Sequence, residues 1–265
     1  MCPDNPYPIP TDDCFTATKY VIEHPHEFGA DLNRFVVAGD SSGGDAAVLM
    51  SMRLKKEKLH MPKLQLLIYP WVQKIYYKFP SHIRYDGIRM GNYTTWYLGI
   101  NKVSNHLRKV YENGELFGLI GDENRRKFIL DCLDVNRIPE IYKPDKSFYD
   151  THSRLELPSQ VPETSILKRD ENLAKLMEKL FKPEISPLLA SREDLVGLPK
   201  TYLLTLEWDA LKDEALIFGE RLKEAGVNTH VAFYQDAFHS MAASLGYIKS
   251  REMLEDLLKY LEVNL

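Results

Sequence analysis

The chain has 265 residues, 44% hydrophobic and 27% charged, which is enough for one sizeable core with an inserted subdomain. A formal charge of −4 leaves no basic footprint, so nucleic acid is not an expected partner. The longest apolar runs, residues 64–69 and 202–206, are strand-length and far short of the roughly 20 residues that cross a bilayer.

In chain order, residues 3–10 are proline-rich and irregular. Thr11-Asp12-Asp13 reads as a helix start, with Cys14, Ala17, Val21 and Ile22 as its apolar face and Pro25 as its stop. Residues 34–38 read as a buried strand. The helix after it, 44–56, has Ala46, Ala47, Met50 and Leu54 on its apolar face. Residues 64–69 form another strand, ended by Pro70. From 72 to about 182 the rhythm breaks. This stretch is rich in aromatics (Tyr76, Tyr77, Phe79, Tyr85, Tyr93, Trp96, Tyr97) and is expected to be a mostly helical cap with one long polar loop, 139–162. Strand–helix alternation then resumes: strand 201–206, helix 212–225 stopped by Gly226, strand 229–234, and a last helix, 250–263. Such alternation predicts an α/β fold, a mostly parallel sheet with helices on both faces, whose ligands bind at the carboxyl ends of the strands.

Gly39-Asp40-Ser41-Ser42-Gly43 is G-x-S-x-G between a strand and a helix, the setting that lifts a serine hydroxyl clear of a sheet edge. The flanking glycines are expected because a tight turn leaves no room for a β-carbon. Ser41 is thus a candidate nucleophile, with unpaired N–H groups of the helix start facing any charge that develops on the substrate. A serine hydroxyl needs a base within reach and a group to orient that base. Of eight histidines only His239 follows a late strand at its carboxyl end. His24, His26, His60, His82, His106, His152 and His230 read as structural. Asp209 leaves the strand at 201–206 and is the preferred orienter, although it also fits a helix cap. Asp236 is the rival, three residues from His239, and Asp213 and Glu214 fit first-turn acids. The order Ser…Asp…His is that of α/β-hydrolases. Cys2, Cys14 and Cys132 are scattered and odd in number, so neither a disulfide framework nor a zinc site is expected.

Asn5-Pro6-Tyr7-Pro8, FVVAGDSSGG at 35–44, Ile185–Ala190, Leu198-Pro199, DALKDE at 209–214 and Phe238-His239 together resemble the hormone-sensitive-lipase-like α/β-hydrolases, the arylacetamide deacetylase group above all. The resemblance runs over nearly the whole chain, most loosely between 75 and 180. It implies Ser41 as nucleophile, Asp209 as acid and His239 as base, with the Ser42 N–H in the oxyanion hole. It also implies carboxylester or arylacetamide substrates, lipid esters among them, and no metal or organic cofactor. The family's His-Gly-Gly-Gly oxyanion stretch occurs nowhere in the 265 residues. In the family that stretch, the first four strands and a membrane anchor facing the endoplasmic reticulum lumen lie upstream. The chain is therefore expected to be a partial α/β-hydrolase domain spanning 1–265, lacking the first strands, with no secretory leader. An exposed edge at strand 34–38 and weak or absent esterase activity are expected with it. Two other readings stay open: a non-catalytic, hydrolase-like ligand-binding protein, and a peptidase of the prolyl-oligopeptidase type.

Overall fold

The central strands are buried at nearly every position because both faces of the sheet are covered. The computed structural model describes residues 2–85, 89–152, 157–244 and 246–265. Its sheet has four parallel strands in the order β1 (Val36–Asp40), β2 (Leu64–Ile68), β3 (Lys200–Trp208) and β4 (Thr229–Phe238). Val36 pairs with Leu64, Leu64 with Lys200 and Thr201 with Thr229, with an irregularity between Leu206 and Trp208. Val37, Leu67 and Leu203 face one core, shared with Ala47, Val48 and Phe218. Leu64, Leu66, Tyr202, Leu204 and Leu206 face the other, shared with Met253. This two-residue period fixes the register, since a slip of one would exchange the two faces.

The helices that cover these faces are α2 (Ser42–Lys56), α11 (Lys212–Glu224) and α12 (Ile248–Asn264), and α1 (Ile9–Glu23) packs on the outside of α2. Between β2 and β3 come α3 (Pro80–Arg84), α4 (Arg89–Tyr97), α5 (Asn105–Glu112), α6 (Glu123–Cys132), α7 (Lys146–His152), α8 (Ile166–Arg169), α9 (Glu171–Glu178) and α10 (Arg192–Leu195). Local chemistry starts and stops them. Ser104 Oγ accepts the Leu107 N–H at 3.1 Å and Asp122 Oδ1 the Arg125 N–H at 2.6 Å. Ser191 and Asp194 cap α10 reciprocally, and Gly226 at φ 83° follows the end of α11.

Several expectations need correction. Helix α1 begins at Ile9, and its buried side chain is Phe15, not the stripe through Cys14, which is exposed. Phe15 packs against Leu49, Met50 and Leu54 of α2, and the Arg53 guanidinium lies 3.9 Å above its ring. Strand β1 lies at 36–40 rather than 34–38, and it is half-exposed because it pairs with β2 alone among the described residues. Strand β4 runs on to Phe238, so His239 leaves the strand directly rather than from a loop. The stretch 139–162 contains α7, whose Tyr149 is buried and donates to Asp213 Oδ1 at 2.6 Å. One anchoring ring outweighs the polar composition there. Within the expected cap, 86–88 and 153–156 lie outside the described residues.

Candidate active site

Strand β1 ends at Asp40 and α2 begins at Ser42, so Ser41 alone makes the turn. It does so at φ 53°, ψ −116°, a sparsely populated conformation for a residue with a side chain. The backbone over-determines it: the Ser41 N–H donates to Ile68 O (2.9 Å), and its carbonyl accepts from Gly44, Asp45 and Trp71 N–H (3.1, 3.3 and 3.1 Å). The glycines do not share the work as expected. A β-carbon on Gly39 would lie 2.1 Å from Gly43 O, so residue 39 must be glycine. On Gly43 it would meet nothing nearer than Asp40 Oδ1 at 3.9 Å. The second crowded position is Gly44, where a β-carbon would come 2.8 Å from Pro70 Cβ.

Ser41, His239 and Asp209 converge at the carboxyl ends of β1, β4 and β3. Ser41 Oγ lies 3.0 Å from His239 Nε2, and His239 Nδ1 lies 2.8 Å from Asp209 Oδ2. Because an ionised carboxylate only accepts, Nδ1 carries the ring hydrogen and Nε2 presents its lone pair to the serine. Asp209, 2% exposed, has its other oxygen on the Leu211 N–H at 2.9 Å. One Asp209 oxygen thus meets the imidazole and the other an N–H of the turn leading into α11, so Asp209 is not the helix cap: the N-cap is Leu211, which has no side-chain cap. The rival Asp236 is exposed and does not meet the imidazole. Its N–H donates to Glu207 Oε2. Burial pulls the His239 imidazole down, but the Asp209 hydrogen bond and charge, with Asp40 and Glu214 behind them, outweigh it and hold the ring above its ordinary value. Tyr69 packs edge-on to the same ring at 5.0 Å. Ser42 opens α2, where a first-turn N–H has no intrahelical acceptor. His230 stacks on both Tyr202 and Tyr260, whose rings also meet each other at 4.8 Å, away from the site.

A cavity of about 1030 Å³ opens onto Ser41, walled by Trp71, Tyr93, Trp96, Tyr97 and Trp208. Of the aromatics noted in the cap stretch, Tyr85, Tyr93, Trp96 and Tyr97 reach it, whereas Tyr76, Tyr77 and Phe79 are buried elsewhere in the core. The same wall carries Asp45 and Lys74, joined at 2.8 Å and almost wholly buried, a pair that sequence reasoning missed. Burial pushes the Asp45 carboxyl up to about 6 against the pull of Lys74. Nothing local announces the pair, because its members are 29 positions apart on different elements. Below the site, Glu214 accepts from the Val72 and Gln73 N–H groups, from Gln73 Nε2, and from the His82 ring at 3.1 Å. Asp213 accepts from Ser81 N and Tyr149 OH. These acids are structural, as their sequence position suggested, but they are interior bolts rather than a surface turn. Among the described residues no cluster of His, Cys, Asp and Glu is placed to hold a metal ion, and no helix is long and apolar enough to cross a membrane.

A family model described as alpha/beta hydrolase fold matches residues 1–106 and 149–243. The chain is 28% identical over 231 residues to mouse arylacetamide deacetylase-like 4 family member 1, covering 86% of this chain and 52% of that protein. It is 29% identical over 271 residues to rat neutral cholesterol ester hydrolase 1, covering 90% and 56%. The chain thus spans about half the length of the curated relatives it matches. Among solved structures, an esterase from Pyrobaculum calidifontis superposes with a TM-score of 0.62 at 19% identity, over 99% of this chain and 63% of that one.

Proposed function

The chain belongs to the α/β-hydrolase-fold family, and from that premise we propose that it is a serine hydrolase acting on carboxylic esters or arylacetamides. The observation that carries this reading is the hydrogen-bonded line Asp209–His239–Ser41, assembled from three strand ends with the imidazole lone pair aimed at the serine. Ser41 Oγ attacks the substrate carbonyl while its proton passes to His239 Nε2, and Asp209 holds the ring tautomer and stabilises the imidazolium. The carbonyl oxygen, now negative, is received by the Ser42 N–H at the positive end of α2. Collapse breaks the bond to the leaving alcohol or amine, which takes the proton from His239, and the acyl group stays on Ser41. Water, deprotonated by His239, then attacks the acyl carbon and frees the serine.

Residues 72–182 act in this reading as a cap whose Tyr85, Tyr93, Trp96 and Tyr97 wall the cavity. Its aromatic lining suits an apolar acyl or aryl group, in keeping with the ester and arylacetamide chemistry in the relatives' names. The Ser42 N–H is the oxyanion donor in this reading, and removing a single such donor costs about 10²–10³ in turnover. Activated short-chain p-nitrophenyl esters are therefore the substrates of choice for the test. Turnover that Ser41→Ala abolishes, together with covalent labelling of Ser41 by a fluorophosphonate, is the expected result. A serine that neither turns over substrate nor labels overturns the reading and leaves a hydrolase-like ligand-binding protein.

A further inference from the structure

A buried charge pair closes a ring around the nucleophile. Lys74 Nζ donates to Asp45 Oδ2 at 2.8 Å and to Trp71 O at 2.9 Å. The N–H groups of those same two residues, Asp45 and Trp71, both donate to the Ser41 carbonyl. The ammonium therefore ties the first turn of α2 to the loop after β2, and the serine's main chain sits at the knot. Lys74 is itself fixed from other sides. Its N–H donates to Ser186 Oγ (2.9 Å), its carbonyl accepts from Thr94 Oγ1 (3.2 Å), and its Nζ lies 4.3 Å from the Trp71 ring centroid and 5.7 Å from that of Tyr97.

As a stabilising device the pair is a poor choice. Two charges are taken out of water, and Asp45 Oδ1 has no hydrogen-bond partner among the described residues. A well-packed apolar pair serves stability as well or better. What an apolar pair cannot do is bridge Asp45 to Trp71 with directed hydrogen bonds. A strained backbone persists only when its surroundings over-determine it, and Ser41 is such a backbone. We infer that Asp45 and Lys74 are positioning residues, which hold the Ser41 main chain in its strained turn and so keep Oγ aligned with His239. The inference rests on Ser41 being the nucleophile.

The test compares the unsubstituted protein with Lys74→Met and with the double variant D45A/K74M, following Tm, and kcat and KM on a p-nitrophenyl ester. Lys74→Met leaves a lone buried carboxyl and is expected to lower both Tm and kcat. The double variant removes both charges and regains Tm, while kcat stays down on the order of 10- to 100-fold and by far more than any change in KM from the cavity wall, the signature of a misplaced reacting group. Recovery of kcat together with Tm makes the pair merely structural and overturns the inference. Should the double variant not fold, Lys74→Gln against Lys74→Met decides. Glutamine's amide keeps donors for Asp45 and Trp71 without the charge, and a kcat about 10-fold above that of methionine is expected. Equal kcat values overturn the inference. Absence of Ser41-dependent turnover and of Ser41 labelling in the unsubstituted protein instead overturns the hydrolase reading, and this assignment falls with it.

Discussion

The imidazole at position 239, the proposed base, is set by a contest between burial, which favours the neutral ring, and surrounding carboxylates, which favour the charged one. The carboxylates win, and the consequence for activity has a definite sign. Proton abstraction from Ser41 requires neutral His239, so kcat/KM should fall as pH drops through a value above the imidazole's ordinary 6.5. Asp40 contributes to that elevation without bonding to the ring. Asp40→Asn should therefore move the acidic limb to lower pH while leaving the Asp209 hydrogen bond intact, as a pH–rate profile will reveal. Asp209→Asn, by contrast, is expected to depress kcat by about 10⁴, because an amide in that place favours the wrong tautomer. At this scale the sequence was highly legible. A serine in a glycine-flanked turn, an acid after one strand and a histidine after the next are local patterns, and their order pairs the three side chains that the fold brings into hydrogen-bond reach. Asp45 and Lys74 were illegible for the opposite reason, since an acid in a first helical turn and a lysine in a loop look solvated until the fold buries both.

At the scale of the element, the turn around Ser41 divides its glycines by what they meet. Gly39→Ala drives a methyl group into the Gly43 carbonyl and should cost more than about 4 kcal/mol or prevent folding. Gly43→Ala meets only ordinary contacts and should leave thermal stability within about 0.5 kcal/mol of the parent. Parallel melting curves of the two proteins check this contrast. The start of α11 shows a comparable concentration of effect, because Glu214 alone satisfies two main-chain N–H groups, an amide and the His82 ring. Glu214→Ala should destabilise by about 3–5 kcal/mol, read from urea midpoints, since it strands several buried donors at once. Element types followed from periodicity wherever the pattern was strong, as in β3 and α12. Boundaries drifted where the deciding contact is distant: Phe15 on α2 shifts the face of α1, and Tyr149 on Asp213 creates α7 within a stretch of polar composition.

For the whole molecule, the sheet has two open margins among the described residues, β1 and β4. Strand edges with unpaired N–H and C=O groups recruit other strands, and a charged side chain is the usual deterrent. Ala38 is exposed on β1, so Ala38→Lys should reduce concentration-dependent association in light scattering without lowering Tm. The order β1-β2-β3-β4 also has a temporal side. The middle of the sheet joins Gln65 to Thr201, 136 positions apart, and the chain between them must be gathered before that ladder can close. High contact order of this kind slows the route to the native state, and the β1-β2 pair waits meanwhile with a second bare flank. A chain built this way is expected to be most exposed to mispairing early after synthesis, while the strand that ends at Ser41 and its neighbour β2 still await the later half of the sheet.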